Sequence, residues 1–208
     1  MSKYPASAVA SGALFETGSL ASQQRQFDAA ILSFAAVQEK YPAADEAPES
    51  AYQQGLALRY LNQLAAAVKQ WEKAIARYPK STAADRSRLS LGWEEHHAGH
   101  FDNASSFFRT VMSTRSDELA AEAQYGIGVS LQSAGKEREA IIAYMRVKYV
   151  FPAAGVWIAK ASFGLGECYE NTQQTQKAKD AYQFVAKQTY VPDMAVIAQE
   201  RLKKLDRL

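Results

Sequence analysis

The chain is 208 residues long, with 24 basic and 22 acidic side chains and a formal net charge of +2. That length suffices for one or two ordinary domains with a large core, and the near-balance of charge gives no electrostatic case for nucleic acid or an anionic membrane as partner. Apolar residues make up 48%, no apolar run approaches the roughly 18 residues that span a bilayer, and the single Cys168 excludes an internal disulfide and a multi-cysteine metal site.

In chain order, the start MSKYPASAVASGALFETG lacks the long apolar stretch of a secretory signal. Paired helices are then expected over 7–22 and 26–40, 47–61 and 64–77, 82–98 and 101–113, 117–133 and 137–150, and 155–171 and 175–187. A last helix is expected over 193–206. Prolines at 5, 42 and 79 stand 37 residues apart, and Pro152 keeps the beat after a gap at Ser116. A proline supplies no N–H and clashes with the preceding turn, so each closes the second helix of a pair. No strand is expected, because few Val-Ile-Thr alternations compete with the helical period.

The glycines repeat as well. Gly18, Gly55, Gly92, Gly128 and Gly166 are separated by 37, 37, 36 and 38 residues. Twelve residues after each stands Ala30, Ala67, Ala104, Ala140 or Ala178, and sixteen after each an aromatic, Phe34, Trp71, Phe108, Tyr144 or Tyr182. Three further on come Val37, Ala74, Val111, Val147 and Val185. The small residues let paired helices approach, and the ring four residues after the alanine lies on the same face. Gly99 and Gly135, seven residues after the column glycine, suit a turn that needs a permissive backbone.

These columns resemble the tetratricopeptide repeat, with its Leu-Gly, Ala, aromatic and Pro positions; LSLGWEEHHAGHFDNASSFFRTV is the stretch most like it. The resemblance implies an all-α, right-handed α-solenoid of about five helical hairpins plus a C-terminal capping helix. The repeats would run over about 7–42, 47–79, 82–116, 117–152 and 155–192, with the cap over 193–206, in one superhelical domain, 1–208. The period exceeds the family's usual 34 residues, and the surplus follows the proline, as in YPAADEAPESA. In this the chain resembles tetratricopeptide proteins of the bacterial cell envelope, of the Tol-Pal-associated periplasmic or outer-membrane assembly lipoprotein type. A periplasmic or outer-membrane-associated location is implied by that analogy, with the cytoplasm as the alternative. Tyr4, Pro5 and Ser7 resemble the tail of an earlier repeat, so the chain is expected to be a piece of a longer one. VPDMAVIAQERLKKLDRL reads as a helix that shields the last repeat from water.

In the family the first helix of each hairpin lines a concave groove. Carried to this sequence, the groove positions are Tyr52, Leu56, Arg59, Tyr60, Trp93, His96, His97, Tyr125, Val129, Phe163 and Glu167. Phe15, Leu89 and Phe163 could equally pack between repeats. Aromatics at these positions suit the docking of an extended or helical segment of another protein. The family's carboxylate-clamp subclass uses Lys and Asn where aromatics stand here, so capture of chaperone C-termini is not expected.

The expected role is therefore a protein–protein interaction scaffold in a bacterial envelope complex. It would bind another protein or a peptide segment without inserting into a membrane. Self-association is the alternative, and no catalytic residue, cofactor or metal is expected. EEHHAGH is the one tempting cluster: His96 and His100 have the spacing of two ligands on a helix. Gly99 should end that helix first, which leaves metal binding as the lesser reading. Cys168 reads as a small buried apolar residue with no histidine beside it in its own repeat.

Overall fold

The computed structural model describes residues 6–207, with side chains from residue 9. The expectation for Tyr4 and Pro5 lies outside the described residues. Within them the chain is helical, with no strand, in the order α1 (Ala6–Gln23), α2 (Phe27–Lys40), α3 (Ala47–Tyr60), α4 (Leu64–Arg77), α5 (Thr82–His97), α6 (Phe101–Thr114), α7 (Glu118–Ser133), α8 (Glu137–Val150), α9 (Gly155–Asn171), α10 (Thr175–Ala186) and α11 (Pro192–Leu205). Each bound lies within one residue of the expected one, because proline, glycine and the buried columns punctuate the sequence so regularly.

The tight turns share one backbone device. Seven residues after each column glycine the chain enters the left-handed region, at Arg25, Asn62 and Gln173 (φ 60°, 61° and 59°) and at Gly99 and Gly135 (φ 81° and 71°). The residue there donates its backbone N–H back to the ending helix, as Gly135 does to Gln132 at 2.9 Å. A Cβ on Gly135 would meet nothing within 4 Å, so Gly135→Ala tests the backbone alone. It should cost about 1 kcal/mol in urea unfolding.

The chain forms two compact units, Met1–Leu91 and Gly92–Leu208. In the first, α1 packs on α2, α2 on α3 and α3 on α4. Phe34 is fully buried with Ala30 and Ala57, and Phe15, Phe27 and Ile31 close over it. Trp71 of α4 lies against Gly55 of α3 so closely that a Cβ there would collide with the indole. The indole N–H donates to the Tyr52 carbonyl at 3.3 Å. A part-buried amide chain, centred on the buried Gln38, also ties three helices together. Gln38 donates to the Gln54 side chain at 2.7 Å and accepts from Gln70 at 2.9 Å. Inside a core such groups are costly unless satisfied.

In the second unit the same closure recurs with an addition. The Phe108 ring lies between Gly92 and Gly126, where an added Cβ would come within 2.6 and 2.7 Å of it. Tyr144 is held in the same way between Gly128 and Gly164, at 2.5 and 2.6 Å. Its hydroxyl donates to Gln132 Oε1 at 2.6 Å. Each ring thus locks its own hairpin and the next one.

Helix α11 continues the pattern in altered form. Ala195, Ala198 and Leu205 are buried, with Ala198 and Leu205 against Tyr182 and Val185. Position 203, 37 residues after Gly166, holds Lys203, which is exposed with Gln199 and Glu200. A lysine stands where the hairpins before it hold a glycine against a ring, and α11 covers the hairpin of α9 and α10. The cap is not wholly polar, since Val196 and Ile197 are 55% and 46% exposed.

Candidate functional site

The groove positions fall in both units. In the first, Tyr52, Leu56, Arg59 and Tyr60 ride on α3. Tyr52 is half-buried, and the Arg86 guanidinium sits 5.9 Å from its ring centroid while bonding Glu49 at 2.9 Å. Tyr60 is 68% exposed and stacks flat on Phe27, with centroids 4.9 Å apart. Leu56, Tyr60 and Phe27 line a cleft of about 250 Å³ beside α3. Arg59 is exposed. Leu89 is buried, 3% exposed, and packs inside; Phe15 tilts against Phe34 at 5.8 Å.

In the second unit the rings meet along a diagonal. Tyr125 of α7 lies 6.1 Å from Trp93 of α5 and 5.6 Å from Trp157 of α9, centroid to centroid. All three are half-buried, so each keeps one part in the core and one toward solvent. Burial, and then the Glu167 charge, push the Tyr125 hydroxyl up to about 12. Trp93 Nε1 donates to Glu122 Oε1 at 3.0 Å. Burial raises the Glu122 carboxyl above its ordinary range, opposed by the Trp93 bond and by Lys160. Lys160 Nζ in turn rests 4.1 Å from the Trp157 ring centroid, a cation–π contact.

The remaining predicted residues surround this row. Val129 packs in the cluster built on Tyr144. Glu167 accepts from Gln132 at 3.2 Å and faces Arg201 at 4.0 Å. Phe163 leaves the row: it meets Tyr182 edge-on at 5.3 Å and belongs to the last hairpin's core. His96 Nδ1 lies 3.2 Å from Ser130 Oγ, and its ring touches Trp93 and Phe101. Burial and then His97 hold His96 below the ordinary histidine value. His97 is exposed at the end of α5. His100 stands past that helix, 3.0 Å from Glu95. Among the described residues no group of three or more His, Cys, Asp or Glu side chains is placed to hold a metal ion. Cys168 is fully buried, and burial followed by Glu137 raises its thiol well above the usual range, which keeps it protonated.

Sequence reasoning missed Trp157, Glu122 and Lys160. A signal existed: Trp93, Tyr125 and Trp157 are spaced 32 residues apart, a few short of the repeat. That offset marks a line climbing one turn or more along each successive helix. The surface so built offers half-exposed rings, carboxylate acceptors and two cations, which suits a polypeptide.

Four segments, 12–44, 49–81, 122–154 and 160–188, match the tetratricopeptide repeat family. They make up more than half of the chain, which belongs to that family. The interval they skip holds α5 and α6, yet Gly92 and Phe108 close there just as Gly128 and Tyr144 do. Solved structures agree on the fold. A tetratricopeptide repeat protein from Parabacteroides merdae is 13% identical, with a TM-score of 0.72 over 94% of this chain and 73% of its own. PilF of Pseudomonas aeruginosa is 12% identical, with a TM-score of 0.73 over 97% and 94%. Yeast Tom70 is 13% identical, with a TM-score of 0.76 over 94% of this chain and 40% of its own. No curated protein matches the chain in sequence. The class that fold and family define is a protein-interaction scaffold of stacked helical hairpins. No helix among the described residues is long and apolar enough to cross a membrane.

Proposed function

We propose that the chain binds a partner segment on the first-helix face of its second unit, centred on Trp93, Tyr125 and Trp157. The observation that carries this reading is the half-buried Tyr125 ring between the two indoles, with Glu122 bonded to Trp93 and Lys160 over Trp157. Rigid aromatics give large contact area at low entropy cost. Glu122, Glu167, Lys160 and Arg201 would fix the segment's register. Tyr52, Leu56, Arg59 and Tyr60 form a second patch of the same kind on α3.

The setting proposed is a bacterial envelope complex. Its support is the lengthened Tyr-Pro connection, as in YPAADEAPESA. Crosslinking in native cells, followed by mass spectrometry, would supply the partner and its compartment. Trp93→Leu with Tyr125→Leu, which keep apolar bulk, should then weaken that partner about tenfold or more with helicity unchanged. An unaltered affinity would sink the reading.

Self-association is a second reading, favoured by α1. Val9, Ala13 and Leu20 leave one of its faces open, with Val9 65% and Leu20 55% exposed. Light scattering across concentrations decides it: a monomer at every concentration removes this option.

A further inference from the structure

The outward face of the second helix in each hairpin provides an internal control. Positions 14, 17 and 21 residues after the column glycine share one side of that helix. In α4 they are Lys69, Glu72 and Ala76, in α6 Ser106, Arg109 and Ser113, and in α10 and just past its end Asp180, Gln183 and Lys187, all exposed; in α2 they are Leu32, which is 72% exposed, the half-buried Ala35 and the exposed Glu39. In α8 they are Ile142, Met145 and Tyr149, which are 57%, 37% and 69% exposed, and Val150 beside them is 59% exposed. Three sister hairpins close with no large apolar residue at these places and α2 with Leu32 alone, so packing does not account for a full apolar stripe.

The stripe separates two clefts. One, about 480 Å³, lies among α6, α7 and α8, with Met112, Ile127 and Ile142 on its walls and Arg109 and Arg146 among its polar residues. The other, about 220 Å³, lies among α8, α9 and α10, lined by Met145, Tyr149 and Phe184 with Lys148 and Lys177. Two acids, Glu139 and Asp180, stand against those four cations. Apolar surface with a cationic border complements a helix that is apolar on one side and acidic at its flanks.

We propose that this face of α8 docks an amphipathic helix with acidic flanks, supplied by a partner protein. The site centres on α8, takes part of its walls from α7 and α9, and shares no residue with the aromatic row. Ile142, Met145 and Tyr149 would bury against the helix's apolar side. Arg109, Arg146, Lys148 and Lys177 would pair with its acids and speed the encounter.

The test uses the full chain and a fluorescein-labelled helical peptide of about 18 residues, with leucines at helical spacing and glutamates on its flanks. A second peptide carries lysine for each glutamate. The acidic peptide should bind saturably, more weakly as salt rises, and the basic one about tenfold or more less tightly. Ile142→Asp with Tyr149→Ser should lower the affinity about tenfold or more, with circular dichroism unchanged. Arg109→Glu with Arg146→Glu should reverse the preference between peptides, and Tyr125→Leu should leave it alone. Absence of saturable binding, or equal binding of both peptides, would overturn the proposal. So would loss of binding on Tyr125→Leu alone, which would move the peptide to the aromatic row. Dimerisation of the unmodified chain that Ile142→Asp abolishes would assign the face to a second copy and overturn it too.

Discussion

Trp71→Ala is expected to remove about 3–5 kcal/mol of stability, the range for deleting a fully buried large aromatic. The indole is 1% exposed, fits against a glycine, and holds the Tyr52 carbonyl at 3.3 Å. Truncation leaves a cavity that opens onto Gly55 and takes the indole donor away from the Tyr52 carbonyl. Stability in a repeat protein is close to a sum of hairpin and neighbour terms, so the loss should concentrate on α3 and α4. Hydrogen exchange should therefore show those helices opening well before α9 and α10. A uniform loss of protection along the chain would contradict this account.

Gly128→Ala carries the second large effect, by overfilling instead of emptying. The new methyl would sit 2.5 Å from the Tyr144 ring. That ring cannot retreat, because Gly164 on its other side is equally close and its hydroxyl is held by Gln132. Overpacking of this kind costs about 1–3 kcal/mol, with the upper part expected here. A double-mutant cycle makes the cause visible. Tyr144→Leu alone should destabilise, but in its presence Gly128→Ala should cost less than half of what it costs alone. Strictly additive losses in urea unfolding would show that the glycine matters for some reason other than the ring.

Both effects rest on columns legible in the sequence. Phe34, Trp71, Phe108, Tyr144 and Tyr182 are at most 1% exposed. Helix ends were legible because proline and the left-handed turn act locally. The diagonal of Trp93, Tyr125 and Trp157 was not, because it depends on how far each helix slides along the next. Reading columns straight down the repeats therefore grouped Phe163 with Tyr125, whereas the structure pairs Phe163 with Tyr182. Leu89 and Tyr125 occupy one column, yet one is buried and the other half-buried, so side-chain size and neighbours decide what periodicity cannot. The apolar stripe of α8 was readable in principle, as three large apolar residues at positions where each sister helix carries at most one, Leu32 of α2.

The paired glycines of α7 and α9 bear on how such a chain can grow by duplication. Residues 118–152 could be copied in place: Tyr144 of the first copy would meet the duplicate Gly126, and the second would meet Gly164 as now. Inserted ahead of α3, the same segment would bring its tyrosine against Gln53, the counterpart of Gly126, whose Cβ fills the notch the ring requires. The hairpins share a pattern without being interchangeable parts, and each junction constrains which neighbour evolution or a designer can place beside it.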